Sequence, residues 1–340
     1  MKQIVECVPN FSEGRDQSII DAISQCANDI AGARVLGVEP DPDYNRTVLT
    51  IAGEPEAVSQ AAFLVIKKSF ELIDMECHSG EHPRIGAVDV CPFVPIQGIT
   101  MGDCAELAKE LAIRVSNELN LPTFLYGAAA TSPERELLSD LRKGQYEGLK
   151  DRLDNGGPNL PDFGPKVWND DIARFGAVVI GARKILVAYN VNLQEKDAVV
   201  SKIAGTIVRS SGRLIKNNNG NKIRIPGMLE LVQGMGLPLE SHGISQVSMN
   251  LRDVNVTPMH VAFEAVKSIS SDHNVEVSGS ELVGLAPLSA MVESGKWFFE
   301  GENATEEELV NAAIHGLGLN DLSEFIPSER IIEWALEKGD

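Results

Sequence analysis

Apolar residues in this chain of 340 residues alternate between strand-like and helix-like spacing, in two successive series. In the first half, a strand-like stretch at 47–52 precedes helical spacing that begins at Pro55 and extends to about residue 73. In the second half, a strand-like stretch at 247–251 precedes Pro258 and helical spacing through residue 270. We therefore expect an α/β fold of the α+β type, with two similar β-α-β layered subdomains at 1–180 and 181–330.

Shorter patterns complete both series. They predict strands at 4–8, 35–38, 88–94, 123–126, 175–180 and 185–192, and helices at 19–30, 105–119, 134–142 and 195–209. Thr305 and Glu308 have the spacing of a capping box, which predicts the start of a late helix. No glycine-rich phosphate loop follows the first strand, so the sequence does not favour a nucleotide-binding Rossmann domain.

Composition narrows the functional classes. The chain has 49 acidic and 30 basic residues, a net charge of −19, which argues against a nucleic-acid or anionic-membrane surface. Its five cysteines form no CxxC pair, so reduced thiols are the default. The apolar runs are shorter than the ~18–20 residues needed to span a bilayer. We expect a cytoplasmic protein that binds neither nucleic acid nor a membrane.

One short segment concentrates groups that carry chemistry. Residues 78–86 contain two of the six histidines, with Glu81 and Arg84 between or beside them. The segment lies between a predicted long helix and a predicted apolar strand, and loops held by such elements are where catalytic side chains collect.

A metal-site interpretation follows from the spacing of this segment. His78, Glu81 and His82 fit H-x-x-E-H, the zinc pattern of the inverzincins, in which two histidines on one helical face bind the metal. Gly80 weakens a helix here, and Pro83 disfavours a helical conformation at the residue before it. Without a helix, the two imidazoles need not face the same way.

An acid–base interpretation needs only one imidazole. The pKa of histidine lies nearest neutral pH, so His82 can accept a proton and return it, with Glu81 orienting the ring. The alternative is structural: His82 stabilises a turn, and Arg84 forms an ion pair. The residues alone leave the three interpretations open.

The chain resembles the glutamate formimidoyltransferase (formiminotransferase) family along essentially its whole length. The resemblance rests on ordered segments at 5–14, 45–48, 72–75, 80–84 (Gly-Glu-His-Pro-Arg), 89–93, 125–127, 162–165 (Asp-Phe-Gly-Pro), 181–184, 282–285 and 329–333. It implies transfer of a formimidoyl group from N-formimidoyl-L-glutamate to tetrahydrofolate, a co-substrate, in histidine degradation. It also implies a homodimer, no metal, and a substrate cleft or tunnel between the two subdomains.

The same resemblance assigns site residues. It implies that His82 is the catalytic acid–base residue and that the folate site includes the loop of Asp162, Phe163, Gly164, Pro165, Lys166, Val167 and Trp168. The candidates for binding substrate carboxylates are Arg46, Arg84 and Arg183, because a guanidinium binds a carboxylate in a bidentate manner. Asn45 is expected to line the same substrate pocket. Each arginine can instead form a structural ion pair, and Trp168 can stack on the pterin or pack in a core.

Other functions stay open at this point. The donor can be N-formylglutamate, which differs from the amidine by one nitrogen. A folate-binding or protein-interaction module without activity is a second alternative, and a zinc-dependent hydrolase is a third. Mammalian relatives carry a fused cyclodeaminase domain, and the resemblance is to a monofunctional enzyme without one.

Overall fold

A computed structural model describes residues 3–157, 160–216 and 221–338 of the chain. Within these ranges the fold has thirteen strands, β1–β13, and twelve α-helices, α1–α12. The chain divides into two compact units, Met1–Lys184 and Ile185–Asp340. The expected mixed α/β fold is confirmed.

Seven strands of the first unit form one sheet. They are β1 (Ile4–Cys7), β2 (Asn10–Phe11), β3 (Ala33–Asp41), β4 (Arg46–Gly53), β5 (Val88–Gln97), β6 (Thr123–Gly127) and β7 (Val178–Ala182). Both β1 and β2 lie between β4 and β5 and pair with both, so the sheet order is β3, β4, β1 with β2, β5, β7, β6. Pairing is antiparallel up to β5 and parallel from β5 through β7 to β6.

Three long helices cover one face of this sheet: α1 (Gln17–Asn28), α2 (Pro55–Leu72) and α3 (Met101–Leu119). Asp16 caps α1 by accepting the N–H groups of Ser18 and Ile19, and the apolar face of α1 is buried. Ile20 and Ile23 on that face are fully buried. Burying such a side chain contributes about 1.5–3 kcal/mol each, so these helices anchor the core of the first unit.

Shorter elements cover the opposite face at β5, β7 and β6. They are a 3₁₀ turn (Pro133–Arg135), α4 (Leu138–Leu141), α5 (Leu149–Asn155) and α6 (Asp170–Phe175). Leu141, Leu153 and Ile172 pack there against Phe124 and Val179 of the sheet. This second core holds residues 133–175 against the sheet.

Two glycines fix where the loop before β5 meets the end of α6. Gly86 and Gly176 form an isolated bridge, and Gly176 has a left-handed φ of 84°. A Cβ on Gly86 would lie 2.2 Å from the carbonyl oxygen of Ala177, which is backbone and cannot move aside. The close approach of these two segments therefore requires glycine.

The second unit contains an antiparallel sheet of four strands in the order β11, β12, β8, β13. Its elements are β8 (Val187–Leu193), α7 (Val199–Val208), β9 (Arg213–Lys216), β10 (Lys222–Ile225), β11 (Val232–Leu239), β12 (Ile244–Leu251), α8 (Met259–Asp272), β13 (Val277–Val283), α9 (Leu288–Phe298), α10 (Glu306–Leu317), α11 (Pro327–Arg330) and α12 (Ile332–Glu337). Strands β9 and β10 form a separate two-stranded sheet. The capping box at the start of α10 is confirmed, since Thr305 and Glu308 bond each other's backbone N–H.

Two predicted elements of the first unit differ from the structure. The helix predicted at 134–142 is wrong, because Leu137 has an extended backbone that separates the 3₁₀ turn from α4. The strand predicted at 175–180 begins only at Val178. Its predicted first residue, Phe175, instead ends α6, whose start is capped by the side chain of Asn169.

Within the described ranges, no helix combines the length and the apolar character needed to cross a bilayer.

The Gly86→Ala variant should be less stable than the parent, because the new methyl group would overlap the backbone carbonyl oxygen of Ala177. We expect a loss of about 1–3 kcal/mol, the usual cost of overpacking, measured by urea denaturation. Gly102→Ala is the matched control: it lies in α3, and the nearest atom to its new Cβ is the Thr100 hydroxyl at 3.6 Å. The free energy of unfolding of the control variant should increase by up to about 1 kcal/mol, because alanine is favoured over glycine within a helix. Equal effects of the two substitutions on stability would contradict the conclusion that the close approach at Gly86 requires glycine.

Candidate active site

The segment that contains His82 connects α2 to β5 and lies along the turn between β3 and β4. Its backbone N–H groups at Glu81 and His82 donate to the carbonyl oxygens of Asp43 and Tyr44, each at 3.4 Å. A Cβ on Gly80 would lie 2.4 Å from the Tyr44 carbonyl oxygen, so only glycine permits this approach. The turn therefore sets the position of the His82 backbone.

Asn45 joins three segments at this point. It is 7% exposed and adopts a left-handed φ of 49°, which asparagine tolerates better than most residues. Its Oδ1 accepts the N–H of Gly14 at 3.0 Å, and its Nδ2 donates to the carbonyl oxygen of Ser79 at 2.9 Å. Asn45 thus has a structural function beside its predicted substrate contact, which stays a prediction.

The His82 ring is half-buried, and its Nδ1 is buried without a hydrogen-bond partner among the described residues. The pKa of His82 is lowered to about 4, first by burial and then by the nearby charges of Arg46, Arg142, Arg84 and His78, in that order. The imidazole is therefore neutral near pH 7 and can accept a proton.

Arg46 lies near the His82 ring, and its guanidinium nitrogens differ in whether they are hydrogen-bonded. Its Nη1 donates to Oδ1 of Asn10 at 2.9 Å, whereas its buried Nε has no partner within the described part of the chain. Burial also lowers the pKa of Arg46. Buried polar atoms are nearly always hydrogen-bonded, so two unpartnered nitrogens, on Arg46 and His82, are suited to a bound ligand.

Arg84 is 6% exposed and forms a bidentate ion pair with Glu147, with N···O distances of 2.9 and 2.6 Å. Its Nε donates to Nδ1 of His78 at 3.3 Å. The other ring nitrogen of His78 lies 3.0 Å from the Asn45 carbonyl oxygen, which requires the Nε2–H tautomer. In this structure Arg84 therefore positions His78 and Glu147, and a contact to substrate stays a prediction.

This geometry does not favour the zinc interpretation. The segment that contains His78, Glu81 and His82 is not helical, and both ring nitrogens of His78 are hydrogen-bonded. In the described ranges, no group of three or more His, Cys, Asp or Glu side chains is arranged to hold a metal ion.

Arg142 and Asp89 complete the site, and sequence reasoning missed both. The Asp89 side chain is 1% exposed, and it accepts Nη2 and Nε of Arg142 and the backbone N–H of Ile85. Burial raises the pKa of Asp89, and the charge of Arg142 opposes that shift. Arg142 lies in a stretch of weak periodicity, so nothing in the sequence pointed to it.

The predicted folate loop, 162–168, follows the end of α5 and precedes α6. Asp162 accepts the N–H of Leu125 at 2.8 Å and the hydroxyl of Thr131 at 2.7 Å, and it forms an ion pair with Arg135. Phe163 packs against the first core. The side chains of Lys166 and Val167 are exposed, while Gly164, with φ of 85°, and Pro165 form the intervening bend.

Direct contacts connect this loop to the His82 segment. The Trp168 ring lies 6.3 Å from the ring of Tyr146, and the Tyr146 N–H donates to the carbonyl oxygen of Arg84 at 2.9 Å. The Arg84 guanidinium lies 6.0 Å from the centre of the Tyr146 ring. Trp168 also packs against the second core, so stacking on a pterin stays a prediction.

A cavity of about 980 Å³ lies beside residues 132–156, with Arg135, Lys143 and Arg152 among its lining residues. Burial, with the charge of Arg135, lowers the pKa of Arg152 to about 10. His82 does not line this cavity. The unpartnered nitrogens of Arg46 and His82 lie in the buried cluster around His82 instead.

Arg183 is not part of this cluster. It follows β7, and its backbone N–H donates to the carbonyl oxygen of Phe93 at 3.0 Å. Phe93 lies five residues beyond Val88, the first residue of β5, and therefore roughly 17 Å along the strand from Val88. The Nη1 of Arg183 donates to the carbonyl oxygen of Lys184. The other predicted substrate-binding residues, Asn45, Arg46 and Arg84, do lie together.

Comparison with known proteins gives consistent matches over both units. Residues 4–183 match the formiminotransferase domain, N-terminal subdomain, and residues 188–337 match the formiminotransferase domain. The chain is 38% identical to glutamate formimidoyltransferase of Streptococcus pyogenes serotype M1, over 89% of this chain and 95% of that protein. It is 37% identical to glutamate formimidoyltransferase of Thermoplasma acidophilum, over 91% of this chain and 98% of that protein.

Longer relatives match as well. The chain is 42% identical to formimidoyltransferase-cyclodeaminase of Rattus norvegicus, over 98% of this chain and 60% of the rat protein. A match to the Gallus gallus protein of the same name, at 41% identity, covers 61% of that protein. The chain thus spans about three-fifths of the length of these relatives.

NMR titration of the His82 ring should give a pKa of about 4 in place of the ordinary 6.5. Arg46→Gln should raise this pKa, because it removes a nearby positive charge, yet leave it below 6.5, because burial is the larger cause. Arg114→Gln is the control, since Arg114 contacts Glu118, Gln60 and the ring of Phe63 and is not among the charges that lower the pKa of His82. A His82 pKa that is the same in both variants would contradict the proposed electrostatics.

The pH dependence of stability has a definite sign. Folded His82 holds its proton less tightly than the unfolded chain does, so the folded state should lose stability as pH falls from 6.5 towards about 4. His82→Gln should flatten the free energy of unfolding over this interval, as measured by denaturation at several pH values. An equal slope in variant and parent would exclude His82 as a source of the pH dependence.

Proposed function

The chain belongs to the formiminotransferase family, and from this premise we propose that it transfers the formimidoyl group of N-formimidoyl-L-glutamate to N5 of tetrahydrofolate. The observation that carries the proposal is the neutral His82 imidazole, with an unpartnered Nδ1, among three arginines. Both substrates are anions, and a cationic cluster on a chain of net charge −19 is suited to them.

The reaction needs one residue that moves a proton. N5 of the folate attacks the formimidoyl carbon, and a new C–N bond forms to give a tetrahedral intermediate. His82 takes the proton from N5 and returns it to the glutamate nitrogen, after which the bond between that nitrogen and the formimidoyl carbon breaks. Proton transfer of this type contributes typically 10²–10⁴-fold to the rate, and holding both substrates in line adds to it.

The arginines take different functions in this proposal. Arg46, with its unpartnered Nε, binds a substrate carboxylate, and Asn45 lies next to it in the chain. Arg84 holds His78 and Glu147, so its contribution to binding is indirect unless the Glu147 pair opens. Arg142 keeps a positive charge near His82 while Asp89 fixes its position. Arg183 binds substrate away from this cluster.

We also propose that Asp162, Phe163, Gly164, Pro165, Lys166, Val167 and Trp168 form part of the folate site. The contacts from Trp168 through Tyr146 to Arg84 support this proposal, because they couple the loop to the His82 segment. The remaining proposals follow from the family: a homodimer in the cytoplasm, a reaction of histidine degradation, subdomains at 1–180 and 181–330, and a substrate passage between them.

His82→Ala should lower the turnover number by about 10²–10⁴-fold, while the dissociation constant for tetrahydrofolate stays within a few-fold of the parent. The assay measures loss of N-formimidoyl-L-glutamate with purified protein and follows folate binding separately. His242→Ala is the matched control, because His242 is exposed and its ring forms a hydrogen bond with the side chain of its neighbour Ser241. Near-normal turnover of the His82 variant would refute the proposed role.

The two donor candidates are distinguished in the same assay. With N-formylglutamate in place of the amidine, we expect a lower kcat/KM, because the relatives with 37–38% identity are named for formimidoyl transfer. A higher kcat/KM with the formyl donor would reverse the assignment. Activity that a chelator abolishes and zinc restores would instead favour the hydrolase alternative.

Arg46→Gln should raise the KM for N-formimidoyl-L-glutamate by about tenfold or more, the usual effect of losing a charge-assisted hydrogen bond. Arg114→Gln again provides the control. An unchanged KM would remove Arg46 from the substrate site, and the same measurement on Arg183→Gln tests whether that distant residue contributes.

A further inference from the structure

The donor of the proposed reaction carries charges of both signs. N-formimidoyl-L-glutamate has two carboxylates, and its amidine is a strong base that is protonated to a planar amidinium near neutral pH. The arginines around His82 suit the carboxylates, but they repel the amidinium. The site therefore also needs a group that attracts a planar cation.

Tyr44 provides an aromatic surface beside the His82 ring. The two ring centres lie 6.3 Å apart, with an angle of 77° between the ring planes. The backbone carbonyl oxygen of Tyr44 accepts the N–H of His82, yet the residue is 46% exposed, so much of its ring is open to a ligand. An aromatic face attracts a cation that lies within about 6 Å of the ring centre. A cationic group that reacts near His82 can therefore stack on Tyr44.

Arg46 shows which kind of group this ring accepts. The carbon at the centre of its guanidinium lies 6.0 Å from the centre of the Tyr44 ring, which is the outer limit of such a contact. An amidinium is a smaller planar cation of the same type. Its carbon and the α-carboxylate carbon of the donor are no more than about 4 Å apart, by ordinary bond lengths. A donor whose α-carboxylate binds Arg46 therefore holds its amidinium next to Tyr44.

Asp41 adds a carboxylate to the same turn. Its Oδ1 accepts the backbone N–H groups of Asp43 and Tyr44, each at 3.0 Å, which fixes the carboxylate beside Tyr44. Both of these bonds go to Oδ1, so Oδ2 can accept a hydrogen bond from a ligand. Asp41 also lies opposite Arg46 in the register of β3 and β4. Burial lowers the pKa of Arg46, and the charge of Asp41 is the first of those that oppose this shift.

We propose that Tyr44 and Asp41 form a subsite that binds the amidinium of the donor and thereby selects a formimidoyl group over a formyl group. This inference rests on the proposed function and names the residues that determine the choice of donor. N-formylglutamate has a neutral amide at the same position, and it gains little from an aromatic face or from a further carboxylate. Charge is thus the property by which this subsite distinguishes the two donors.

The subsite acts on binding more than on the chemical step. The positive charge of the amidinium passes to N5 of the folate as the new C–N bond forms, and it leaves the reacting atoms when His82 takes that proton. Tyr44 and Asp41 therefore stabilise the bound donor and the transition state of the attack alike. Loss of such a contact raises KM and leaves kcat near its parent value.

The first test removes the aromatic ring. Tyr44→Leu should raise the KM for N-formimidoyl-L-glutamate by about 3–30-fold, the effect of losing a cation–π contact. The inhibition constant of N-formylglutamate, measured against the same donor, should stay near its parent value, and this constant is obtained whether or not the formyl compound reacts.

Two controls accompany this variant. Tyr44→Phe keeps the ring and should retain the parent KM. Trp297→Leu removes an aromatic side chain of the second unit that is 62% exposed, and it should change neither constant. The thermal unfolding midpoint of each variant shows that it is folded.

The second test removes the carboxylate charge. Asp41→Asn should reduce the preference for the amidine donor over N-formylglutamate by about tenfold, because a hydrogen bond to a charged group is lost. Asp43→Asn is the matched control: it removes the same charge from an exposed position of the same turn. The control should alter the affinities for both donors equally. An equal loss of preference in both variants would overturn the assignment of Asp41.

Calorimetric binding of N-formimidoyl-L-glutamate without folate separates this inference from the proposed function. A parent that binds this donor through Tyr44 and Asp41 but transfers nothing supports the subsite and overturns the proposed reaction. A parent that transfers the group, with an unchanged donor preference in Tyr44→Leu and Asp41→Asn, overturns the subsite and leaves the reaction intact. A parent that does not bind the donor overturns both.

Discussion

The candidate site depends on one constraint: the loop that carries His82 is fixed against the turn between β3 and β4, directly before Arg46 at the start of β4. Asn45 ties that turn to the segments at Gly14 and Ser79, and Gly80 permits the backbone contact. The imidazole of His82 consequently has little freedom to avoid the positive charges around it. The pKa of His82 is low because the fold places its ring in a half-buried position close to these charges.

The arginines of this cluster differ in how much of their binding capacity is used. Asp89 and Glu147 engage Arg142 and Arg84, so these two guanidinium groups act on His82 mainly through their charge. Arg46 keeps a buried Nε without a partner in the described residues. Burying an unpaired charge is costly, and the carboxylates of Asp89 and Glu147 avoid that cost for Arg142 and Arg84. Arg46 therefore remains as the one arginine of the three with a nitrogen available to bind an anion.

Sequence patterns predicted those parts of the fold in which apolar periodicity is long and uninterrupted. The helices α2 and α3 and the strands β4, β5 and β12 are of this kind. Strands β11 and β13 were missed because Gly234, Gly236 and Gly279 interrupt the alternation. In the site, Asn45, Arg46, His82 and Arg84 could be named from motifs, whereas Arg142 reaches His82 only through tertiary folding.

The charge distribution of the chain also affects the candidate site. A chain of net charge −19 has a general field that repels anionic substrates and further copies of itself. A local cluster of basic residues, Arg46, Arg84 and Arg142, offsets this field around His82. The buried cluster acts at short range in a medium of low dielectric constant, so salt screens it little.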